Sequence, residues 1–572
     1  MNYFKIIISL IVSSIILGAC QNDLLDKYPL DQVTSAAFFK KSNDLKLYTN
    51  QFYDRGNFPE RKLTSQCDLG YDTNIDEKSV NTVLQGTRTV LSGSAFNYTS
   101  IRNVNYFFDN YKKCEDDFDD YKQYVGEAHF FRAFFYFELL KKYGGVPWIT
   151  SSLDLDSPEL YASQDPRNVI ADNIIADLDS ATMYLTDDKT NGCSRINKWI
   201  ALLLQSRVAL YEGTWEKYHA NDPFGVSSPQ PEKYLTKVIE AATAIMKSGL
   251  YDIYSTGNPT SDYVDLFGLR DYSSNSEVMF WTKMDLDLGI YSHRKLSYLE
   301  TPMGFGLTKS MADSYLCTDG KPITISPLFK GYSSIMTEMK NRDPRFYQTI
   351  FTPDAAWLID DGITTTWDEL YTNKLFSNST YACPTGYVRR KDYNPYTKYH
   401  DLNFESTPSL QYRYAEVLLN FAEAKAELGE INQSDIDISI KKLRDRVGMP
   451  NLILNNIVPD PNWNFPDLSP TLNEIRRERK IELVIEDLRW DDIARWAAAD
   501  ELIVGKRPKG EMASQFAITP EYPVDSEGFM DPFKKVLPNG YGFKINRDYL
   551  SPISKQELKI NENLVQNPGW ED

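Results

Sequence analysis

Residues 121–143 read YKQYVGEAHFFRAFFYFELLKKY, and this stretch decides the fold class. Because phenylalanines occupy nearly every face, we predict a helix that is buried on most sides, with His129 as a hydrogen-bonded core residue. Gly144-Gly145 and Pro147 predict where the helix ends. One face is marked by apolar side chains at steps of three and four residues: Tyr124, Ala128, Phe131, Phe135 and Leu139.

A cluster of acidic residues between positions 115 and 120 precedes this helix. A calcium loop is one interpretation, but the D-x-D-x-D-G order is missing. Acidic groups at a helix N-terminus complement the helix dipole, and we favour that interpretation.

Helices of similar pattern lie further along the chain. Two-helix units that close on a glycine, as at Gly429, resemble tetratricopeptide repeats, although the period of about 34 residues is eroded. Length alone suggests about three or four domains. Stacked helix pairs bury one continuous core, however, so we expect a single, mainly α domain. The predicted helices span residues 168–185, 199–215, 231–248, 410–428, 434–447 and 472–498.

Two segments between the helices differ in composition. Residues 57–100 and 249–404 are rich in Gly, Pro, Asn, Ser, Asp and aromatic residues, with strand-like pieces at 277–281 and 386–389. Irregular segments this long usually carry function, and so many aromatic residues argue against disorder. We therefore predict a loop-rich ligand-binding face with small strands. The helical scaffold beneath it comprises mainly residues 34–56, 101–248 and 405–572.

The first twenty residues have the pattern of an export signal. Lys5 precedes an apolar run from Ile6 to Leu17. As a helix this run is about 18 Å long, too short for a hydrocarbon core of roughly 30 Å. We therefore predict a signal peptide over residues 1–19 and a mature chain of residues 20–572. Leu17-Gly18-Ala19-Cys20 looks like a lipobox with an acylated Cys20 thiol; the alternative is a chance cysteine at a plain cleavage site.

The bulk composition excludes some classes of function. A net charge of −18 argues against nucleic-acid binding, which needs a basic surface. The 37 tyrosines and 10 tryptophans supply many rings with an apolar body and a polar handle. Five cysteines follow Cys20 at wide spacing without a C-x-x-C, so we predict neither a disulfide framework nor a zinc site. These cysteines are Cys67, Cys114, Cys193, Cys317 and Cys383.

A series of short motifs runs through the chain. The most distinctive is Gly126-Glu127-Ala128-His129-Phe130-Phe131-Arg132-Ala133, followed by Tyr143-Gly144-Gly145-Val146-Pro147. The others are Leu25-Asp26-Lys27-Tyr28-Pro29, Ala209-Leu210-Tyr211-Glu212-Gly213-Thr214-Trp215, Arg413-Tyr414-Ala415-Glu416, Leu443-Arg444-Asp445-Arg446-Val447-Gly448, Glu478-Arg479-Lys480-Ile481-Glu482 and Gln566-Asn567-Pro568-Gly569-Trp570. Taken in chain order, these motifs resemble those of the SusD/RagB family of nutrient-binding outer-membrane lipoproteins.

The resemblance covers nearly the whole chain and carries several expectations. It implies a tetratricopeptide-like scaffold at the cell surface, without a cofactor. It also implies a pairing with a TonB-dependent, SusC-like outer-membrane transporter that the protein covers like a lid. Family members bind glycans in most studied cases and peptides in some, so we expect glycan capture, with peptide capture as the alternative. The Arg/Glu-rich run 476–482 belongs to these scaffold motifs, and we interpret it as a salt-bridged helix surface, with a binding patch as the alternative.

The sequence gives little support to an enzyme. G-x-S-x-G, H-E-x-x-H and Walker motifs are absent, and no two of the four histidines sit at metal-ligand spacing. A glycosidase needs only two carboxylates about 5 to 10 Å apart. Among 80 acidic residues such a pair carries no specificity, so a surface glycoside hydrolase remains a minor alternative. We expect a binding protein without a metal.

A sugar site needs an exposed aromatic ring with Asp, Asn or Arg around it, because sugars present apolar C–H faces ringed by hydroxyls. Residues 67–76 have this composition and lie where the family often places ligand contacts. Starch-binding relatives use a tryptophan in this region; the first tryptophan here is Trp148, which argues against starch. The candidate ligand residues are Asp68, Tyr71, Asp72, Asn74, Tyr291, His293, Trp357, Trp367 and Arg389.

The Cys20→Ala substitution tests the lipid anchor. We expect the variant to leave the outer membrane or to keep its signal peptide, because each buried acyl CH₂ contributes about 0.8 kcal/mol of membrane affinity. Membrane fractionation checks this, with Cys114→Ala as the matched control that stays in place. Unchanged outer-membrane fractionation of Cys20→Ala would contradict the prediction.

Overall fold

The helix predicted from residues 121–143 spans Phe118–Tyr143 in the computed structural model, and most of its side chains are buried. It ends at Gly144, whose φ of 73° favours glycine. His129 bonds to Asp177 at 2.8 Å, and Arg132 donates to the same carboxylate, which confirms a hydrogen-bonded histidine. The structure describes residues 38–54, 58, 73–74, 81–189, 195–291, 306–368, 383–400, 405–516 and 522–571.

Antiparallel helix pairs form the scaffold, as the sequence predicts, and successive long helices pack on their neighbours. The first helices are α1 (Ser42–Asn50), α2 (Thr99–Asn110), α3 (Phe118–Tyr143), α4 (Arg167–Tyr184), α5 (Lys198–Tyr218) and α6 (Pro231–Ser248). None of the described helices is long and apolar enough to cross a membrane.

The segment 249–404 contains short helices and strands within its loops. The helices are α7 (Asp262–Gly268), α8 (Lys309–Ser314), α9 (Ile335–Met339) and α10 (Arg345–Thr349). The strands of the described chain are β1 (Thr73–Asn74), β2 (Val278–Thr282), β3 (Gly306–Leu307), β4 (Ala356–Asp360), β5 (Ile363–Thr366) and β6 (Ser409–Arg413). They pair antiparallel as β1–β3, β2–β6 and β4–β5.

The C-terminal part of the chain returns to the scaffold. Helix α11 (Tyr414–Glu427) packs against α6, so the first and last thirds of the chain share one core. The described helices of the C-terminal part are α11 (Tyr414–Glu427), α12 (Gln433–Asp437), α13 (Ile440–Arg446), α14 (Pro470–Glu482), α15 (Arg489–Arg495), α16 (Ala499–Leu502) and α17 (Lys555–Ile560).

Four of the predicted elements differ from the structure, and the first three are a helix start, a divided helix and a strand. The helix predicted over 410–428 begins as strand β6, which pairs with β2, so the helix starts at Tyr414. The helix predicted over 434–447 is divided into α12 and α13. Residues 386–389, predicted as a strand, form an irregular segment with one isolated bridge between Arg389 and Ile350.

The long helix predicted over 472–498 is broken after Glu482. Ile485 and Asp487 adopt positive φ angles of 64° and 59°, which a helix does not allow. No glycine or proline marks this turn, so the sequence pattern conceals it. The turn carries Glu486 to within 2.6 Å of both Lys391 and Arg413.

The acidic cluster before α3 lies at the N-terminal ends of two helices, α1 and α3. Asp119 and Asp120 lie in the first turn of α3, as the dipole interpretation predicts. Asp116 instead accepts from the backbone N–H of Ser42 at 2.7 Å and pairs with Lys41, at the start of α1. The cluster therefore also fixes α1 to the scaffold.

The Arg/Glu-rich run in α14 lies in the protein interior, which corrects the prediction of a salt-bridged surface. Glu478 and Glu482 are 1% and 0% exposed. Glu482 is buried as a charged carboxylate because Arg345, Arg413 and Arg446, from other parts of the chain, pair with it at 2.6 to 3.0 Å. These ion pairs offset the cost of removing the carboxylate from water.

Ten described side chains, all buried, form one connected ion network between the scaffold and segment 249–404. Arg413 contacts Glu277 at 2.8 Å, and Arg345 contacts Asp343 at 2.8 Å. Five cations face five carboxylates, so their charges balance. The members are Arg345, Lys391, Arg413, Arg444 and Arg446 with Glu277, Asp343, Glu478, Glu482 and Glu486.

The Glu482→Gln substitution is expected to destabilise the fold by about 3–5 kcal/mol at neutral pH, because it leaves buried arginines without their partner. Burial alone would raise the pKa of Glu482, but Arg446, Arg413 and Arg345 outweigh it and hold that pKa well below its usual range. The stabilisation is therefore present above the unfolded-state pKa of about 4.3 and is lost as the pH falls below it.

Chemical denaturation across pH measures this difference. The matched control is Glu240→Gln on the exposed face of α6, where Glu240 lies 3.7 Å from Lys237, and we expect a change of about 0.5 kcal/mol or less. Equal effects of the two substitutions at neutral pH would contradict a structural role for the network.

Candidate ligand-binding site

Backbone hydrogen bonds connect several of the predicted ligand residues. Asn74 in β1 lies opposite Gly306 in β3. Leu307, the next residue of β3, donates its N–H to the carbonyl of Tyr387 at 2.8 Å. Two residues further on, Arg389 bridges to Ile350. The structure thus joins segment 57–100 to the centre of segment 249–404.

The predicted ring residues of this region lie at different depths. Trp367 is fully buried and stacks on Phe351 with centroids 4.4 Å apart, so its ring is not available as an exposed plate. Trp357 is half-buried and meets Trp367 edge to face at 6.0 Å. Arg389 is also buried, at 6% exposure. Trp367 and Arg389 are therefore buried within segment 249–404, and the burial of Trp367 corrects the expectation of an exposed ring there.

Of the remaining predicted ligand residues, the structure describes only Tyr291. Tyr291 is half-buried and follows the bridge between Asp285 and Ile290. Asp68, Tyr71, Asp72 and His293 lie outside the described residues, and they stay predictions. Cys20 likewise lies outside the described residues.

A cavity of about 410 Å³ lies between α8, the loop that follows it, the loop 460–465 and α14, and we name it the polar–aromatic cavity. Its volume falls within the range of roughly 300–1,000 Å³ that is typical of small-molecule sites. Four aromatic residues line it, together with amide and hydroxyl side chains. These residues are Phe329, Tyr332, Trp463 and Phe465 with Asn462, Asn464, Asn473, Ser310, Ser314 and Thr324.

Trp463 is held at the cavity by its own loop. Asp460 accepts hydrogen bonds from the N–H of Asn462 and the hydroxyl of Thr324, both at 2.9 Å. Its carboxylate also pairs with Arg477 of α14 at 2.6 Å. The loop is thereby tied to both walls, and the half-buried indole ring is fixed beside the cavity.

The opposite wall carries a second fixed group. Lys309 pairs with Asp313 one turn along α8, and the hydroxyl of Tyr332 donates to Asp313 at 3.0 Å. Burial and the nearby charge of Asp313 raise the pKa of Tyr332 above its usual value, so the phenol stays protonated. Ring, cation and carboxylate are thus positioned before any ligand arrives.

None of the candidate ligand residues predicted from the sequence lines this cavity, although the sequence contains a signal for it. Residues 460–465 read DPNWNF and combine a ring with Asp and Asn, the same composition that singled out residues 67–76. The criterion applied to the C-terminal third would have found Trp463. The contribution of Lys309 and Tyr332 depends on a long-range contact that no local pattern shows.

The described residues contain no cluster of three or more His, Cys, Asp or Glu side chains that could hold a metal ion. Cys114, Cys317 and Cys383 are free, and the latter two are buried. Cys67 and Cys193 lie outside the described residues.

The architecture is that of a tetratricopeptide-like helical protein with an irregular face. Residues 259–570 match the model of the SusD family, and residues 48–210 match a model described as starch-binding associating with outer membrane. Because the first match covers more than half of the chain, this chain belongs to the SusD family. The family and the fold class predicted from the sequence are therefore confirmed.

Individual relatives agree with this assignment. SusD-like protein P2 of Formosa agariphila is 26% identical over 586 residues, which cover 98% of this chain and 99% of the relative. A SusD-like protein of Bacteroides fragilis superposes with a TM-score of 0.70 at 23% identity, covering 95% of this chain and all of the other. A SusD-like carbohydrate-binding protein of the same organism has a TM-score of 0.69 at 21% identity, covering 92% and 100%.

Proposed function

We propose that this protein captures glycans at the outer-membrane surface and delivers them to a TonB-dependent transporter. The observation that carries the proposal is the polar–aromatic cavity, where four aromatic rings lie among amides, hydroxyls and charged groups. Rings pack on the C–H faces of sugars, and the polar groups bond to the hydroxyls around them. Membership in the SusD family supports the same function.

The shape of the cavity favours a sugar over a peptide. Extended peptides bind along an exposed strand edge, and helical peptides bind in an apolar groove. The polar–aromatic cavity offers a compact volume of about 410 Å³ with polar walls instead. A short stretch of a glycan fits this chemistry better than a peptide backbone does.

The cavity also favours binding without hydrolysis. A glycosidase needs two carboxyl groups, one of them protonated to act as the acid. The carboxylates that line the cavity, Asp313 and Asp460, are ion-paired with Lys309 and Arg477 respectively. Both are engaged in holding the walls together, so we propose a binder and not an enzyme.

Glycan binding by the purified mature chain tests the function. We expect oligosaccharides of two to six sugars to bind with micromolar to millimolar Kd, about −8 to −4 kcal/mol, and to be recovered unchanged. Calorimetric titration of an oligosaccharide panel measures the affinity, and mass spectrometry checks the recovered sugar. Shortened products would show an enzyme.

Two variants locate the binding site. We expect Trp463→Ala to weaken binding at least about tenfold, because a few central rings carry most of such binding energy. Trp199→Ala, at another half-buried indole, is the matched control. Combined replacement of Asp68, Tyr71 and Asp72 by Ala tests the face predicted from the sequence. Loss of binding in that variant alone would move the site from the cavity to residues 67–76.

Delivery to a transporter predicts a stable partner. A lid over a barrel needs more than about 1,000 Å² of buried interface. Extraction in mild detergent is therefore expected to recover a large β-barrel protein with this chain, seen by native electrophoresis and mass spectrometry. Recovery as a free monomer, while other outer-membrane complexes stay intact, would contradict the proposed partner.

A further inference from the structure

A second pocket, of about 350 Å³, lies between the first part of α2, the segment 147–160 and α17 with the residues that follow it. We name it the apolar pocket, because nine of its sixteen lining residues are aromatic, aliphatic or proline. No residue lines both this pocket and the polar–aromatic cavity, so the two are separate sites. The apolar lining includes Phe96, Ile101, Ile149, Leu153, Leu160 and Leu564.

The polar side chains buried in the wall of the apolar pocket are already hydrogen-bonded within the fold. Asn105 donates to the carbonyls of Ile149 and Ser151 at 2.9 and 3.2 Å. Asn561 donates to the carbonyl of Ala162 at 2.8 Å. Polar groups with partners do not need the hydroxyls of a ligand, whereas apolar walls in contact with water favour an apolar occupant. The pocket therefore fits an apolar side chain better than a sugar.

The surface around the apolar pocket has an excess of negative charge. Segment 150–165 contains four acidic residues and no lysine or arginine. Within the described part of the chain, the acids and cations next to the pocket form no ion pairs, and five acids face three cations. Such an excess attracts a cationic partner. The acids are Asp154, Asp156, Glu159, Glu557 and Glu562, and the cations are Arg102, Lys555 and Lys559.

Exposed apolar side chains extend the surface beyond the apolar pocket. Leu155 and Tyr161 lie on one side and Ile560 and Val565 on the other, and each is more than half exposed. The two sides are joined, because Asn563 donates to the carbonyl of Tyr161 at 2.8 Å. A small molecule inside the pocket would leave these side chains in water, whereas a protein segment would cover them.

We propose that this surface binds a segment of a partner protein that carries an aromatic or leucine side chain beside a lysine or arginine. The apolar side chain enters the apolar pocket, and the cation faces Glu159 and Glu557, which line it. A central buried anchor with a polar rim carries most of the binding energy in many protein interfaces. The proposal does not depend on glycan capture, because no residue of the polar–aromatic cavity takes part.

Capped tetrapeptides titrated into the full mature chain test the proposal by calorimetry. The reference peptide carries a phenylalanine followed by a lysine between two glycines. We expect it to bind with a Kd of about 1 mM or tighter. Replacing its phenylalanine by alanine should weaken binding about tenfold. Replacing its lysine by glutamate should weaken binding about fivefold, with a difference that shrinks as salt is added. Phenethylamine, with the ring and the charge alone, should bind more weakly than the reference peptide.

Substitutions in the chain locate the binding site. Leu160 is 42% exposed and lines the apolar pocket, and Leu160→Asn replaces it by a polar side chain of similar size. We expect this variant to bind the reference peptide about fivefold more weakly or worse. Leu250→Asn is the matched control, because Leu250 is 40% exposed and lies outside the pocket. Glu159→Gln combined with Glu557→Gln should remove the preference for lysine over glutamate. Thermal transitions near that of the wild type show that the variants are folded.

Four outcomes would overturn the proposal. In the first, no peptide binds at millimolar concentration. In the second, Leu160→Asn and Leu250→Asn bind the reference peptide equally well, so the apolar pocket is not the site. In the third, the lysine and glutamate peptides bind with equal affinity, so the partner is not basic. In the fourth, phenethylamine binds as tightly as the reference peptide, which assigns the pocket to a small amine. None of these outcomes bears on glycan capture.

Discussion

The rest of the structure depends on a buried network of charges. Without segment 249–404, Glu478 and Glu482 of α14 would lose Arg345, and without α14 the buried Arg345 would keep only Asp343 as its partner. Together they neutralise one another at 2.6 to 3.0 Å. Removing one partner of such a set costs several kcal/mol, so the two parts of the chain must dock together. The loop-rich segment is thereby fixed to the helices.

Helix α14 connects this network to the cavity. At 100° per residue, Glu478 and Glu482 project from one side of the helix. Asn473, Arg476, Arg477 and Lys480, at relative positions i, i+3, i+4 and i+7, project from the opposite side and line the cavity. The sequence of α14 therefore directs one face to the ion network and the other to the cavity. Arg479 of the same helix takes part in a second group of buried charges, around Glu423. Burial alone would raise the pKa of Glu423, but the positive charges of Arg495 and Arg479 outweigh burial and lower that pKa to about 2.

The sequence predicted those features that local periodicity encodes. The long helices α3 to α6 begin and end within about three residues of the prediction, because apolar spacing and flanking Gly or Pro mark them. The charged run of α14 resembled a solvated surface, because its arginine partners lie far away in the chain; Arg345 is 137 residues from Glu482. Trp367 resembled a ligand contact in the sequence, because its burial against Phe351 arises only from the tertiary structure. Local sequence carries neither kind of information.

The fixed walls of the cavity explain how a weak ligand could be held and released. Binding usually costs free energy to order side chains, and preorganisation reduces that cost. Here Lys309, Asp313 and Tyr332 hold one wall, and Asp460 ties Arg477 and Trp463 into the other. A glycan would then need few contacts to bind, and a site with few contacts releases its ligand quickly. A rigid site fixed by the buried ion network would suit the proposed delivery to a transporter, because tight capture would stop that delivery.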